Sequence, residues 1–246
     1  MRRILWAILF LIGLFLFLNS IVFGIRVAQG IRLAHESTAF QLWNADALRR
    51  VLVAGDSTGV GTGAESPWDS VAGRIARDFP WVEIINTSED GAKIADVILQ
   101  MDALEDTDFD LVLAQAGGND ILRFTGLASL ERDVAELLSM AASRGNHVIF
   151  ISTGNVGAAP AFFPPINWIY TCRTRQVRSV FLKVSRQLHV EYVDLFKEKR
   201  DDPFLEDPEK TFARDFLHPG SPGYGLWYEE LRRQTSLKEI LTPEGQ

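Results

Sequence analysis

The sequence has little cysteine, and its basic residues are unevenly distributed. Cys172 is the only cysteine among 246 residues, which excludes an intrachain disulfide and a cysteine-based zinc cluster. Six of the 25 basic and two of the 32 acidic residues lie within residues 1–50. Residues 51–246 therefore carry 19 basic and 30 acidic side chains, a net charge of −11. An acidic domain repels phosphate backbones, so we expect no nucleic-acid partner.

The composition also excludes a disordered chain. Hydrophobic residues make up 47% of the sequence and charged residues 23%, which is ordinary for a folded protein, and no repeat period or low-complexity tract is present. A length of 246 residues is enough for one sizeable α/β domain or two small ones.

The longest apolar run is at the start of the chain. Residues 4–25 have only two polar members, Asn19 and Ser20, and a helix of this length reaches about 33 Å, enough to cross the hydrocarbon core of a bilayer. We expect an uncleaved single-pass anchor at residues 1–25. A cleaved signal peptide is the main alternative, but its apolar region is usually only ~7–15 residues long and ends in small residues. A buried core helix would need partners around its whole circumference.

Charges on either side of this run bear on its orientation. Arg2 and Arg3 favour a cytoplasmic N-terminus, whereas Arg26 and Arg32 follow the run and weaken that preference. We expect the domain behind the anchor to lie outside the cytoplasm, in the periplasm or at the cell surface. Residues 26–48 are polar and mildly amphipathic, and we expect them to form a spacer.

From residue 49 onward, short apolar runs alternate with helical patterns. The predicted strands are residues 51–54, 82–86, 111–115, 147–152 and 191–195, and the predicted helices are residues 68–78, 92–104, 129–143, 171–188 and 222–233. Continuous apolar runs are typical of parallel strands covered on both faces, so the pattern predicts a doubly wound parallel sheet. We expect this domain at residues 49–236, followed by a C-terminal tail at 237–246. The composition of 154–168 fits either ordinary loop packing or an apolar wall beside a site.

A serine follows the first predicted strand, in the segment Val53-Ala54-Gly55-Asp56-Ser57-Thr58-Gly59. The carboxyl ends of parallel strands are where sites form in such sheets. Small neighbours there allow close approach of a ligand, and helix N–H groups favour a developing negative charge. The alternative interpretation is that Ser57 only caps a helix.

Two further segments follow the second and third predicted strands. Gly117-Gly118-Asn119-Asp120 falls on the same edge of the sheet as Ser57, where Asn119 can direct an amide N–H at an oxyanion. Gly91 ends the segment 86–91 and lies beside the same cleft. Taken alone, each segment is equally compatible with an ordinary turn.

The strongest candidate for acid–base chemistry is Asp215-Phe216-Leu217-His218-Pro219, shortly before the last predicted helix. An aspartate three residues before a histidine can accept from Nδ1–H and leave Nε2 free to take a proton from a serine. The other histidines are expected at the surface: His35 lies in the predicted spacer, and His147 and His189 lie near strand starts, at the opposite end of the sheet.

Together these four segments resemble the SGNH hydrolase superfamily, also called the GDSL-type esterases and lipases, over about residues 49–233. The first segment reads Gly55-Asp56-Ser57-Thr58, with Thr58 in place of the leucine of the family pattern. The resemblance implies a three-layer α/β/α sandwich with a five-stranded parallel sheet of the flavodoxin-like type.

The resemblance also implies roles for individual residues. Ser57 would be the nucleophile, His218 the base and Asp215 the residue that orients it. The oxyanion hole would consist of the backbone N–H groups of Ser57 and Gly91 and the side chain of Asn119. The expected reaction is hydrolysis of a carboxylic ester through an acyl-enzyme, which needs no metal and no organic cofactor.

Other interpretations remain open. The same residues serve an acyltransferase or an O-deacetylase that acts on cell-envelope glycans, because only the acceptor or the ester differs. The expected partner is a small-molecule ester, with a lipid and an acylated glycan both compatible with a membrane anchor. A non-catalytic binding module would not need the complete Ser57, Asp215 and His218 set.

Two further motif matches are interpreted as chance. Gly59-Val-Gly61-Thr-Gly63-Ala64 fits a dinucleotide fingerprint, but Gly59 lies five positions beyond the end of the predicted strand and the match gives His218 no role. Residues 55–59 fit the Gly-x-Ser-x-Gly elbow of α/β-hydrolases, but that fold needs strands upstream of the elbow.

Overall fold

Five parallel strands form one sheet in the computed structural model, which describes residues 2–105 and 108–243. The strands are β1 (Arg49–Gly55), β2 (Val82–Asn86), β3 (Phe109–Gln115), β4 (Gly145–Ile151) and β5 (Glu191–Val193). Their order across the sheet is β2-β1-β3-β4-β5, and every neighbouring pair is parallel. The prediction of a five-stranded parallel sheet is therefore confirmed, although β5 ends two residues earlier than expected.

Helices connect the strands and cover both faces of the sheet. The α-helices of the described residues are α1 (Arg2–Glu36), α2 (Ser57–Val60), α3 (Val71–Asp78), α4 (Ile94–Asp102), α5 (Gly118–Leu122), α6 (Leu127–Arg144), α7 (Ile166–Gln187), α8 (Pro208–Thr211), α9 (Ser221–Gln234) and α10 (Leu237–Leu241). The predicted helix 68–78 is divided, because Ser70 accepts a hydrogen bond from the backbone of Gly73 and starts α3 there. Helix α7 begins at Ile166, five residues before the predicted start.

Alternate residues of each strand pack into two separate cores. Leu52, Val112 and Phe150 pack with α4, α6 and α7, whereas Val51 and Leu111 pack with α3, α9 and α10. Because both faces are covered, both sets of side chains are apolar, which explains the continuous apolar runs in the sequence. The result is the expected three-layer sandwich, with the carboxyl ends of the strands left open for a site.

The N-terminal helix extends well beyond the predicted anchor. Helix α1 is long and apolar enough to cross a membrane, and none of its most apolar stretch is buried against the domain. It continues without a proline through residue 36, so that residues 26–36, expected to be spacer, are helical. Beyond it, Phe40 is buried, and Leu42 pairs with Ile84 in an antiparallel bridge at the edge of the sheet.

The segment after residue 236 also differs from the expected tail. Leu237 and Leu241 are fully buried in the same core as α9, and the Trp81 indole donates to the Leu241 carbonyl at 2.7 Å. The folded domain therefore extends at least to Leu241, because apolar side chains of the last helix complete the layer under the sheet. Residues 244–246 of the predicted tail lie outside the described residues.

Candidate active site

Ser57 is the first residue of α2, directly beyond the end of β1. The preceding residue, Asp56, caps this helix: one carboxylate oxygen accepts from the Thr58 backbone N–H at 2.9 Å and from the Thr58 hydroxyl at 2.7 Å. The other oxygen accepts from the Gly118 N–H at 3.3 Å. Burial raises the pKa of Asp56 above its ordinary value, while these hydrogen bonds act in the opposite direction. Asp56 thus joins the serine turn to the loop after β3.

Side-chain amides hold the turn around Ser57 in place. Gln100 of α4 both donates to and accepts from the backbone of Gly55, at 3.0 and 3.2 Å. Gln115 donates to the Thr58 carbonyl at 2.9 Å. Gly55 itself tolerates no side chain, because a Cβ there would lie 2.1 Å from the Gln115 carbonyl oxygen. The serine is therefore presented on a rigid support, with only 8% of its surface exposed.

The turn before α9 brings an imidazole to this serine. His218 Nε2 lies 3.0 Å from Ser57 Oγ, and His218 Nδ1 lies 2.5 Å from one carboxylate oxygen of Asp215. The second oxygen of Asp215 accepts from the backbone N–H groups of Leu217 and His218, both at 3.1 Å. Phe216 adopts a φ of 56°, a left-handed conformation that lets the turn curl back on itself. An ionised Asp215 requires a proton on Nδ1, which leaves Nε2 to accept from the serine hydroxyl.

The two charges of this turn support each other. Burial of the Asp215 carboxylate opposes its charge, but the hydrogen bond and the charge of His218 outweigh burial, so the pKa of Asp215 is lowered. Burial of the His218 ring likewise opposes its protonation, yet Asp215 outweighs it, and the pKa of His218 is raised above the ordinary 6.5. The arrangement therefore favours an imidazole that gains a proton readily.

The expected oxyanion donors line the same space as Ser57. Gly91 adopts a φ of 79°, which favours glycine, and Asn119 donates one amide N–H to the Ala92 carbonyl at 3.1 Å. That bond ties Asn119 to the loop of Gly91 and leaves its second amide hydrogen available. Asp120 accepts from the Ile94 N–H at 2.9 Å, which joins the loop after β3 to the start of α4.

A cavity of about 320 Å³ contains these groups. Its walls include Ser57, Gly91, Asn119 and His218, together with apolar side chains from several elements. A second cavity, of about 190 Å³, lies beyond a shared wall that includes Trp227, and neither Ser57 nor His218 lines it. The first cavity is therefore the one in which chemistry at Ser57 would take place. Among the described residues, no group of three or more His, Cys, Asp and Glu side chains is arranged to hold a metal ion.

Sequence reasoning missed the part of this cavity formed by α1. Gly30, Ile31, Ala34 and His35 all line it, although all four belong to the predicted spacer. The available signal was the mildly amphipathic character of residues 26–48, but the surface that this helical face contacts lies at the other end of the chain. Of residues 154–168, Val156 lines the cavity, whereas Phe162 is buried in the core shared with α6 and α7, so the segment combines one wall residue with ordinary loop packing.

The fold and the site define the class of the protein. A parallel α/β/α sandwich, in which a serine after the first strand meets an Asp-x-x-His turn before the last long helix, is the SGNH hydrolase type. The sequence model of the GDSL-like lipase/acylhydrolase family matches residues 53–226, and the chain belongs to that family. It is therefore an enzyme of the carboxylic ester hydrolase class.

Solved structures of the same type superpose on most of the chain. A lipolytic protein of the G-D-S-L family from Veillonella parvula is similar over 75% of this chain and 96% of its own, with 15% identity and a TM-score of 0.58. A lipase/acylhydrolase from Enterococcus faecalis is similar over 79% of this chain and 96% of its own, with 19% identity and a TM-score of 0.57. An acetyl xylan esterase from Geobacillus stearothermophilus is similar over 78% of this chain and 96% of its own, with 17% identity and a TM-score of 0.57. At these identities the likeness concerns the fold. No curated protein matches the chain.

Proposed function

We propose that the chain cleaves carboxylic esters through an acyl-enzyme on Ser57. The observation that carries the proposal is the unbroken hydrogen-bond chain from Ser57 Oγ through the His218 ring to Asp215, with distances of 3.0 and 2.5 Å. A serine hydroxyl becomes a useful nucleophile only when an adjacent base removes its proton, and here the base is held in the required tautomer by a buried carboxylate.

The reaction then proceeds in two halves. His218 takes the Ser57 proton as Oγ attacks the ester carbonyl, and the resulting oxyanion is stabilised by the backbone N–H groups of Ser57 and Gly91 and by the Asn119 amide. His218 passes its proton to the departing alcohol oxygen, and the acyl group stays on Oγ. Water enters, gives a proton to His218 and attacks the acyl carbon, after which that proton returns to Ser57 and the acid leaves.

The test uses the full-length chain in detergent micelles and a panel of p-nitrophenyl esters of increasing acyl length. We expect release of p-nitrophenolate by the wild type, loss of it in Ser57→Ala, and no change in the matched control Ser143→Ala, whose side chain is exposed on α6. A serine-reactive phosphonate should label the wild type and Ser143→Ala but not Ser57→Ala. Labelling that survives in Ser57→Ala would refute the assignment of the nucleophile.

The same site can pass its acyl group to a sugar hydroxyl in place of water. Acyl transfer and hydrolysis share the first half-reaction, so the acyl-enzyme alone does not separate them. Product analysis with and without added oligosaccharide does: free acid in both reactions supports hydrolysis, whereas an acylated sugar that forms only with the acceptor identifies a transferase.

We further propose that α1 anchors the enzyme in a membrane with the domain on the extracytoplasmic side. The support is the length and apolarity of α1 and the two arginines before its apolar run. Cys172, the only cysteine, is exposed on the domain and reports its location. We expect a membrane-impermeant maleimide to label Cys172 in intact expressing cells and not to label Cys172→Ser. Labelling that requires cell lysis would place the domain in the cytoplasm.

A further inference from the structure

The part of α1 beyond the apolar run turns one face toward the domain. Arg26, Gly30, Leu33 and Ala34 are partly buried, whereas Val27, Ala28, Ile31 and Arg32 are exposed. Spacings of three and four residues place the first set on one side of the helix. Residues 26–36 therefore lie against the protein as a helix with a defined inner face.

A glycine on this inner face lies directly over the catalytic turn. An added Cβ at Gly30 would lie 3.1 Å from a carboxylate oxygen of Asp215, the oxygen that also contacts His218. The two glycines further down α1, Gly13 and Gly24, have no such neighbour within 4 Å. Gly30 thus allows the helix backbone to cover Asp215, a residue that is only 2% exposed.

Arg26, one helical turn before Gly30, also contacts the segment between Asp215 and His218. The Arg26 guanidinium lies 5.0 Å from the ring centre of Phe216 and donates to the Pro160 carbonyl. The Phe216 carbonyl in turn accepts from the Ala161 N–H at 3.1 Å. Phe216 is the residue with the left-handed backbone between Asp215 and His218, so α1 and the loop at Pro160 together hold a conformation that costs energy.

The following turn of α1 forms a wall of the cavity. Ala34 lines the space that also contains Ser57 Oγ and the His218 ring, and Ile31, although largely exposed, touches the rim of the same space. Apolar side chains of the domain, among them Leu122 and Trp227, line the same cavity. An acyl group attached to Ser57 would therefore be enclosed partly by the helix that carries the anchor.

We propose that residues 26–36 of α1 are a part of the active site: Arg26 and Gly30 position the Asp215–His218 turn, and Ala34 forms part of a wall that limits the acyl group. The inference rests on the proposed ester hydrolysis at Ser57. It makes Gly30 a positioning residue and Ala34 a residue that determines specificity, neither of which touches the reacting atoms.

The positioning role is tested by the same substitution at two glycines of one helix. Gly30→Val inserts a side chain between α1 and Asp215, and Gly24→Val adds one where nothing lies nearby. A displacement of about 1 Å at a catalytic group costs on the order of 100-fold in rate. We expect kcat for p-nitrophenyl acetate to fall about 100-fold in Gly30→Val, and the midpoint of its pH–kcat profile to differ from that of the wild type. Gly30→Ala should show a smaller fall in kcat, and Gly24→Val should keep the wild-type kcat and midpoint.

The specificity role is tested by filling the cavity from α1. Ala34→Trp introduces a large side chain at the wall, and Ala28→Trp is the matched control on the exposed side of the same helix. In an apolar pocket, the gain or loss of contacts to one methylene group changes the ratio of kcat/KM between two substrates about 10–200-fold. We expect kcat/KM for the octanoate ester to fall at least about tenfold relative to the acetate ester in Ala34→Trp, with an unchanged ratio in Ala28→Trp.

These outcomes separate the inference from the proposed function. If the wild type hydrolyses esters and Ser57→Ala does not, while Gly30→Val and Ala34→Trp behave like their controls, α1 is an anchor only and the inference is wrong. If the wild type hydrolyses no ester, the proposed function fails first. Thermal unfolding of each variant in the same detergent identifies a general loss of folding. If Gly30→Val does not fold, Ala34→Trp still tests the inference, because its added side chain occupies open space in the cavity.

Discussion

Replacement of Asp215 by asparagine is a sharp test of how the catalytic turn works. One carboxylate oxygen of Asp215 accepts from two backbone N–H groups, those of Leu217 and His218, and the other accepts from His218 Nδ1 at 2.5 Å. In Asp215→Asn the amide oxygen must keep the two backbone donors. The amide NH₂ is then directed at Nδ1, which has to become an acceptor.

The consequence is that the imidazole of His218 adopts the other neutral tautomer. With Nδ1 unprotonated, the neutral ring carries its hydrogen on Nε2, and Nε2 faces Ser57 Oγ at 3.0 Å as a donor. A donor cannot take the serine proton, although the shape of the turn is unchanged. A base held in the wrong tautomer loses a factor of about 10⁴ in kcat, which corresponds to roughly 5.4 kcal/mol of activation free energy at 1.36 kcal/mol per tenfold.

The assay compares kcat for p-nitrophenyl acetate in the wild type, Asp215→Asn and Asp201→Asn, all as full-length chains in detergent. Asp201 is the matched control because its side chain is 59% exposed and its carboxylate pairs with Arg200 at the surface. We also expect the residual activity of Asp215→Asn to show a lower pH midpoint, because Asp215 contributes more than Asp56 and Asp90 to the raised pKa of His218. Activity of Asp215→Asn within tenfold of the wild type would refute the tautomer argument.

Three further predictions follow from the geometry. Loss of one oxyanion donor costs about 2.7–4 kcal/mol, so Asn119→Ala should lower kcat ~100–1,000-fold with an unchanged unfolding temperature, and near-wild-type turnover would remove Asn119 from the oxyanion hole. Because the neutral form of His218 is the proposed base and the pKa of His218 is raised, activity should fall as the pH is lowered through a midpoint above 6.5. A flat pH profile between 5.5 and 8.5 argues against His218. Leu241→Ala should lower the free energy of unfolding by roughly 2–5 kcal/mol in denaturant titrations. Leu99→Ala is the control, because Leu99 is 65% exposed and its loss should change that free energy little. Equal stabilities of the two variants would show that residues 237–241 are not part of the folded core.

Local patterns in the sequence were sufficient to predict the sheet and the edge where the site forms. A strand buried on both faces has to be apolar at successive positions, so each strand is visible in a short window of residues. Parallel topology then places the ends of β1, β2 and β3 at one edge, which brings the segments of Ser57, Gly91 and Asn119 together without any knowledge of distances. The spacing of Asp215 and His218 is local as well.

Tertiary structure alone decided what those segments meet. Gly30 lies over Asp215 although most of the chain separates them, and no periodicity within residues 26–36 specifies that partner. The same holds for Leu241, whose burial depends on the core under the sheet into which α3 and α9 also pack. A sequence pattern records which side of an element is buried, whereas the identity of the covering surface depends on how distant elements pack. For that reason the segments of the proposed nucleophile and of the proposed acid–base turn could be located from sequence, and the position of the N-terminal helix beside them could not.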